Sequence, residues 1–164
     1  MIFLTVGTQF PFDRLVTTID DLFDEGVIQD DLFAQIGDSV YKPRNFAAVG
    51  SLEKKAFDDR FRQASAVISH AGMGAITMAL DQNKPLLVMP RLKRYREVVN
   101  DHQAALATKF EALGHILVAQ DETQLRVKVG QLRSFVPRPR QANPEIVAER
   151  IGRFLETLHA PKAV

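Results

Sequence analysis

The sequence predicts an α/β fold in which one parallel β-sheet is covered by helices on both faces. Short apolar runs alternate along the chain with longer amphipathic stretches, a pattern typical of repeated strand-helix units. The runs at 66–69 and 86–89 are apolar almost throughout, as expected for strands that are buried on both sides. A chain of 164 residues is long enough for one such domain with its own core, and too short for two.

The first half of the chain predicts three strands and two helices. A buried strand at 2–6 leads through a turn into an amphipathic helix at 12–26, whose apolar residues recur at helical spacing. Two further short strands are predicted at 32–36 and 46–49, followed by a helix at about 53–64.

The second half contains the clearest strand-helix-strand unit. A strand at 66–69 runs into a glycine-bearing turn and a helix at 75–82, and the segment 83–85 (Asn-Lys-Pro) ends that helix before the strand at 86–89. A helix, a strand and a helix follow, at 101–113, 116–118 and 122–132.

The last predicted element is a helix that follows a proline-rich connector at 136–140. Asn143, Pro144 and Glu145 supply an N-cap, a proline at the first helical position and an acid in the first turn, which together favour a helix start. Its apolar side chains form one stripe, made of Ile146, Val147, Ile151, Phe154, Leu155 and Leu158. Such a stripe usually packs on the domain's own sheet, and the alternative is that it docks on another protein.

Charge and composition exclude several classes of partner. The 21 Lys and Arg residues nearly balance the 20 Asp and Glu residues, for a net charge of +1, so we expect no nucleic-acid partner. Without cysteine the chain forms neither disulfides nor thiolate metal sites, which agrees with a cytoplasmic location. No segment approaches the ~20 apolar residues that a membrane helix needs, so a membrane substrate would require another protein to bring this chain to it.

The turn after the strand at 66–69 is the most informative local feature. His70 precedes Gly72 and Gly74, and two glycines at a strand-to-helix turn let backbone N–H groups and the positive helix end approach a diphosphate closely. The spacing is not the GxGxxG of dinucleotide-binding proteins, and GxG alone is a weak signal. We predict ligand contact here, against the alternatives that the glycines serve packing and that His70 is an ordinary core histidine.

A polar cluster follows the next strand. Arg91, Lys93, Arg94 and Arg96 lie close behind it, and the string Asn100-Asp101-His102-Gln103 comes a few residues later. Ligands of open α/β sheets bind at the carboxyl ends of strands, so two consecutive strand ends carry candidate binding groups. The alternatives are that the cations form a solvated surface and that Asn100 or Asp101 caps the next helix.

Four segments, in this order, carry a family resemblance, and the match as a whole extends over roughly the whole chain. They are VGTQFPFDRL at 6–15, SHAGMG at 69–74, KPLLVMPR at 84–91 and NDHQ at 100–103. Together they resemble the C-terminal domain of glycosyltransferase family 28, and most closely the small PssE-like exopolysaccharide glycosyltransferase subunits. The chain is also similar to the cytosolic subunit of the eukaryotic two-part N-acetylglucosaminyltransferase.

This resemblance implies the GT-B architecture, in which two Rossmann-like halves face each other and the C-terminal half holds a UDP-sugar. The chain would be the donor half alone, a single donor-nucleotide-binding domain over 1–164. As the catalytic subunit of a two-component enzyme, it would move a sugar, glucuronic acid or a hexose, from UDP to a lipid-linked acceptor in exopolysaccharide biosynthesis. No metal is implied, and no cofactor besides the donor substrate.

The resemblance also implies a partner. A membrane-associated subunit would bind the acceptor and would hold this cytoplasmic chain at the inner face of the membrane. The alternative from another class is a catalytically inert protein that stabilises or recruits a transferase.

Individual site residues follow from the same resemblance. His70 would contact the donor diphosphate and stabilise the leaving UDP, as the catalytic residue. The remaining donor-binding residues are Gly7, Thr8, Gly72, Met73, Gly74, Arg91, Glu97, Asp101, His102 and Gln103.

Some of these residues have more specific expected roles. Gly7 and Thr8 would face the diphosphate unless they form an ordinary turn, and polar groups at 102–103 would contact the hydroxyls of the donor sugar. Many relatives carry a Glu that binds the ribose hydroxyls where this chain has Met78, which cannot accept such hydrogen bonds. Glu97 is the substitute that we predict.

Overall fold

The computed structural model describes residues 1–140 and 144–159, the last three by their backbone only. Its strands are β1 (Ile2–Thr5), β2 (Leu32–Gln35), β3 (Ala47–Val49), β4 (Ala66–His70), β5 (Leu86–Met89) and β6 (Leu117–Val118). Its helices are α1 (Asp13–Asp24), α2 (Lys54–Gln63), α3 (Met73–Asp81), α4 (His102–Ala112), α5 (Glu122–Gln131) and α6 (Pro144–His159), with a short 3₁₀-helix at Lys93–Tyr95. Among these described helices, none is both long and apolar enough to cross a bilayer.

The predicted elements occur in the predicted order, and no predicted end between β1 and α5 is wrong by more than two residues. The largest difference at the site is the start of α3, which begins at Met73 rather than at 75. Gly72 takes the N-cap position in an extended conformation, with φ −85° and ψ 140°, so the turn is shorter than predicted. The N-cap predicted at Asn143 lies outside the described residues.

All six strands run parallel in the order β3-β2-β1-β4-β5-β6. Thr5 at the end of β1 pairs with Gln35 of β2 on one side and with Ser69 of β4 on the other. The strand order reverses between β1 and β4, and the loops that leave these two strands turn to opposite faces of the sheet. A crevice therefore opens at the carboxyl ends of β1 and β4.

Two clusters of buried side chains form the core, one on each face of the sheet. Side chains of α1 and α5 pack on one face, where they meet Leu4 and Ile68. Side chains of α2, α3 and α4 pack on the other face, where they meet Phe3 and Val67. Neighbouring residues of a strand point to opposite faces, so both faces of the central strands are covered, as predicted.

A buried carboxylate in α1 anchors the loop between β2 and β3. Burial alone would raise the pKa of Asp20, but hydrogen bonds from the N–H groups of Arg44 and Asn45 and from the Tyr41 hydroxyl hold that pKa below its usual value. The Asn45 amide adds two bonds, to the Asp20 carbonyl at 3.2 Å and to the Asp24 carboxylate at 2.9 Å. No recognisable signal in the sequence predicted this anchor.

The predicted apolar stripe of α6 faces outward. Every described side chain of this helix from 144 to 156 is exposed, apart from the half-buried Gly152. Val147 and Ile151 are 59% and 54% exposed, and the two core clusters of the described chain draw no residue from α6. The stripe therefore does not pack on the domain's own sheet; its last member, Leu158, lies outside the described side chains.

Candidate functional site

A cavity of about 810 Å³ occupies the crevice between the ends of β1 and β4. Its walls come from the β1–α1 loop at 6–10, the turn at 70–75, Arg91 after β5, and the start of α4. Within the described chain its lining includes the basic residues Lys54 and Arg91 but no Asp or Glu. A cavity of this polarity favours an anionic ligand.

A second cavity, of about 600 Å³, lies at the opposite edge of the sheet. Its only charged lining residues among those described, Asp30 and Arg133, pair with each other through two bonds of 2.7 and 2.5 Å. Because no charge is left for a ligand, we place the functional site in the first cavity.

The imidazole of His70 lies between two glycine turns. Gly7 has φ +74°, and a Cβ built there would come within 2.9 Å of His70 Cε1. A Cβ at Gly72 would collide with His70 Nε2. The position of the ring therefore requires glycine at 7 and 72, and both glycines also line the cavity. Gly74, in the first turn of α3, faces open space, where nothing lies within 4 Å of an added Cβ.

The neighbours of His70 determine which ring nitrogen carries the proton. Nδ1 is 3.3 Å from the Ser69 hydroxyl, and that hydroxyl donates its own proton to the Thr5 carbonyl at 2.7 Å. The Ser69 oxygen can therefore only accept from Nδ1–H, which leaves Nε2 unprotonated in the neutral ring. To donate a hydrogen bond to an anion, Nε2 has to take up a proton.

Burial, and secondly the positive charge of Arg91, lower the pKa of His70 to about 4. At neutral pH the ring of the ligand-free protein is therefore uncharged. Because this pKa lies below the ordinary value of 6.5, the unfolded chain takes up the proton first as the pH falls.

We expect the free energy of unfolding to be highest above the ordinary histidine pKa of 6.5 and to fall as the pH approaches 4. The His70 contribution to that loss should reach about 3 kcal/mol. Urea unfolding at several pH values measures it, and His70→Asn should show a flatter profile over this range. Equal slopes in the two proteins would contradict this assignment.

Arg91 is 2% exposed, although it lines the cavity as predicted. Its Nη2 donates to the carbonyls of Val6 at 2.6 Å and Phe10 at 2.5 Å, and its guanidinium lies 5.0 Å from the centroid of the Phe12 ring. Burial lowers its pKa to about 10, which leaves it charged at neutral pH. Its Nε is buried without a hydrogen-bond partner among the described residues. Arg91 thus holds the β1–α1 loop and keeps one donor unused.

The structure corrects the predictions for Glu97 and Asp101, which both lie outside the cavity lining. The Glu97 carboxylate accepts from Arg14 at 2.7 and 2.8 Å and from the N–H of Leu92 at 3.0 Å. Asp101 accepts from the N–H of Lys93 at 2.7 Å. Both carboxylates therefore fix the loop before α4, and Glu97 has no role left at a ribose.

The other cations of that loop, Lys93, Arg94 and Arg96, are exposed and lie outside the cavity lining. They fit the alternative of a solvated surface. Asn100 caps the start of α4, because its side-chain oxygen accepts from the N–H of His102 at 3.3 Å. Asp101 makes no side-chain cap bond.

His102 and Gln103 both reach the cavity, as predicted. His102 is exposed, and its Nδ1 contacts the Asn100 side chain. Gln103 is only 8% exposed, and its Oε1 accepts from the N–H of Arg91 at 3.2 Å. The Gln103 amide therefore has its NH₂ group available for a ligand. Thr8, Met73 and Met78 also line the cavity.

The lining residues that were not predicted from the sequence include Gln35, Leu52, Lys54 and Phe57. Gln35 ends an apolar strand with a polar side chain, which is a usable signal for a site at the carboxyl ends of the strands. The other three belong to α2 and the loop before it, and only the fold brings them to the cavity.

The strand order and the position of the cavity define a Rossmann-like α/β domain with a ligand site at the switch point of its sheet. The chain belongs to the glycosyltransferase family 28 C-terminal domain family, whose model matches residues 1–154. The family resemblance stated from the sequence is thus confirmed.

Individual relatives agree with this assignment. A protein of Mus musculus named UDP-N-acetylglucosamine transferase subunit ALG13 is 32% identical over 123 residues, which is 70% of this chain and 10% of the mouse protein. The chain therefore spans about a tenth of the length of that relative.

Solved structures show the same fold. The NMR solution structure of ALG13 superposes with a TM-score of 0.62 at 24% identity, covering 92% of this chain and 93% of that one. The crystal structure of the glycosyltransferase of kitacinnamycin has a TM-score of 0.59 at 23% identity, covering 97% of this chain and 39% of that one.

Proposed function

We propose that this chain is the donor-binding, catalytic subunit of a two-component glycosyltransferase that moves a sugar from a UDP-sugar to a lipid-linked acceptor. The observation that carries the proposal is the cavity at the switch point, with Lys54 and Arg91 in its lining and no described carboxylate. A diphosphate is the anionic ligand that such a site of an α/β sheet binds most readily. The domain proposed to bind the donor is the whole chain, 1–164.

The site residues have a chemical role in this proposal. Negative charge grows on the departing UDP as the glycosidic bond breaks, and groups aimed at it stabilise the transition state. The positive N-terminus of α3 and the ring of His70, once it has taken up a proton, are the groups placed for this, and the positive charge of Arg91 lies beside them. Gln103 faces the same cavity with a free NH₂ group and is proposed to contact the sugar.

The sugar is proposed from the relatives. The mouse relative is a UDP-N-acetylglucosamine transferase subunit by name, which favours that donor over the glucuronic acid or hexose expected from the sequence. Exopolysaccharide assembly stays a prediction.

A partner subunit is proposed for two reasons. Inverting transfer needs a base near the acceptor hydroxyl, and no described carboxylate lines the cavity. The apolar stripe of α6 is exposed, which suits contact with another protein. We propose a membrane-associated, acceptor-binding subunit that holds this chain at the cytoplasmic face of the membrane.

The isolated chain should bind UDP but should transfer no sugar, because the proposal assigns the acceptor site and the base to the partner subunit. Calorimetry with UDP measures the first property. Incubation of the purified chain with UDP-N-acetylglucosamine and a lipid-linked acceptor, with and without the partner, measures the second. Robust transfer by the chain alone would contradict the two-component proposal.

The competing function is an inert subunit that only stabilises a transferase. Met78 favours it, because a thioether lines the cavity where a ribose-binding carboxylate is expected, and Glu97 does not replace it. Absence of UDP binding in the same calorimetry would select this function.

A further inference from the structure

Gln35 ties together the carboxyl ends of three strands at the edge of the cavity. It is 2% exposed and is the last residue of β2, the strand between β1 and β3. The Thr5 hydroxyl donates to its Oε1 at 2.6 Å. Its Nε2 donates to the carbonyls of Gly7 at 3.0 Å and Gly50 at 3.1 Å.

These partners leave one orientation for the amide. The two carbonyls can only accept, so they must face the NH₂ group, and both of its hydrogens are used. The oxygen is used by Thr5. A buried polar group that is satisfied on every side holds its neighbours rigidly, and it is costly to disrupt.

The bond to Gly7 also fixes the peptide group that joins Gly7 to Thr8. In a planar trans peptide the N–H points away from the C=O. Because Gln35 holds the Gly7 carbonyl, the N–H of Thr8 is directed away from Gln35. Thr8 lines the cavity, and its N–H donates to none of the described residues.

Arg91 holds the same loop from its other side. Its bonds to the carbonyls of Val6 and Phe10 leave three carbonyls of the β1–α1 loop, at positions 6, 7 and 10, engaged by buried side chains. The loop is therefore fixed before any ligand arrives, with its carbonyls turned to the protein.

We propose that Gln35 is a positioning residue, which aims the Thr8 N–H at the diphosphate of the ligand. This inference rests on the proposed function, since it assumes a nucleoside diphosphate in the cavity. Gln35 itself does not have to touch that ligand.

The test compares UDP with uridine, which lacks the diphosphate, in NMR titrations that detect weak as well as tight binding. In the wild-type protein UDP should shift the Thr8 amide resonance and uridine should not. Gln35→Met, which removes the amide at similar volume, should weaken UDP binding about tenfold or more and change uridine binding less than about twofold.

Asn45→Ala is the matched control. It removes another side-chain amide whose NH₂ group donates two hydrogen bonds, to the Asp20 carbonyl and the Asp24 carboxylate, and Asn45 does not line the cavity. It should leave the UDP affinity unchanged. If Gln35→Met does not fold, the comparison of UDP with uridine at the Thr8 amide of the wild-type protein still tests whether this N–H contacts the diphosphate.

Three results would overturn the inference. The first is a Thr8 amide resonance that shifts equally with UDP and with uridine. The second is an equal loss of affinity for UDP and for uridine in Gln35→Met, which would indicate a merely structural role. In both cases the proposed function stands, because the wild type binds UDP. A wild-type protein that does not bind UDP would overturn the proposed function and this inference together.

Discussion

At about pH 5, replacing His70 with alanine should weaken the binding of UDP and of UDP-sugar by about ten- to a hundredfold, since the protonated ring no longer donates a hydrogen bond to the charged ligand. His70 lies between the turns of Gly7 and Gly72 and lines the cavity, so its Nε2 is within the proposed diphosphate site. Calorimetry with both ligands measures the loss. A circular dichroism melt checks that the variant is folded.

The same variant should lose a pH dependence of binding. Nε2 needs an added proton before it can donate to a phosphate, so wild-type affinity should rise as the pH falls from about 8 to about 5. UDP-N-acetylglucosamine is the better probe, because a terminal phosphate such as that of UDP titrates near about pH 6. His102→Ala is the control, since His102 lines the cavity but lies apart from the two glycine turns. A pH profile that persists in His70→Ala would refute the role of this ring.

Gln103 should act differently, on the sugar alone. Gln103→Ala removes the NH₂ donor that faces the ligand and adds no charge to the cavity. We expect UDP affinity close to that of the wild type and impaired turnover of UDP-sugar in the reconstituted pair. If His70→Ala and Gln103→Ala lose UDP affinity equally, this division of roles is wrong.

The order of strands and helices could be predicted because the fully buried strands β1, β4 and β5 are apolar runs that contrast with their amphipathic helices. Which strands lie next to each other in the sheet could not be predicted. Pairing of β1 with β4 joins residues more than sixty positions apart, and no local pattern encodes it.

The site was predicted best where it lies on strand ends. Thr8, His70 and Arg91, which lie at or just after strand ends, all line the cavity, since the carboxyl ends of parallel strands meet at one edge. The predicted contact of Glu97 with the ribose did not take account of Arg14. This partner belongs to α1, 83 residues away, and holds the Glu97 carboxylate outside the cavity. The second requirement for glycine at 72, space for the neighbouring ring of His70, has no signal in the local sequence.

The domain should remain folded without α6. The chain just before this helix is anchored to the α4–β6 turn, where the N–H of Arg138 donates to the Gly114 carbonyl at 2.9 Å and the Arg138 carbonyl lies 2.8 Å from His115 Nδ1. Described side chains of the core come from β1 to Leu132. Removal of residues 142–164 therefore takes away no described core side chain.

We expect this truncated chain to unfold cooperatively, to keep its UDP affinity and to lose both co-purification with the partner and sugar transfer. Suitable partners are membrane-anchored proteins with a Rossmann-like sequence pattern, encoded beside this chain and co-expressed with it. Far-UV circular dichroism, calorimetry and pull-down measure the first three properties, and a transfer assay with the partner present measures the fourth. A truncated chain that unfolds outright would show that α6 belongs to the domain itself.

A single substitution separates the stripe from the rest of the helix. Ile151→Asp should weaken co-purification strongly, because an interface that covers Ile151 would bury an unpaired charge. Glu156→Lys changes a charge on the opposite side of α6 and should have little effect. Because both positions are exposed in the isolated chain, neither change should alter its stability or its affinity for UDP. Equal effects of the two variants on co-purification would mean that the apolar stripe is not the docking surface.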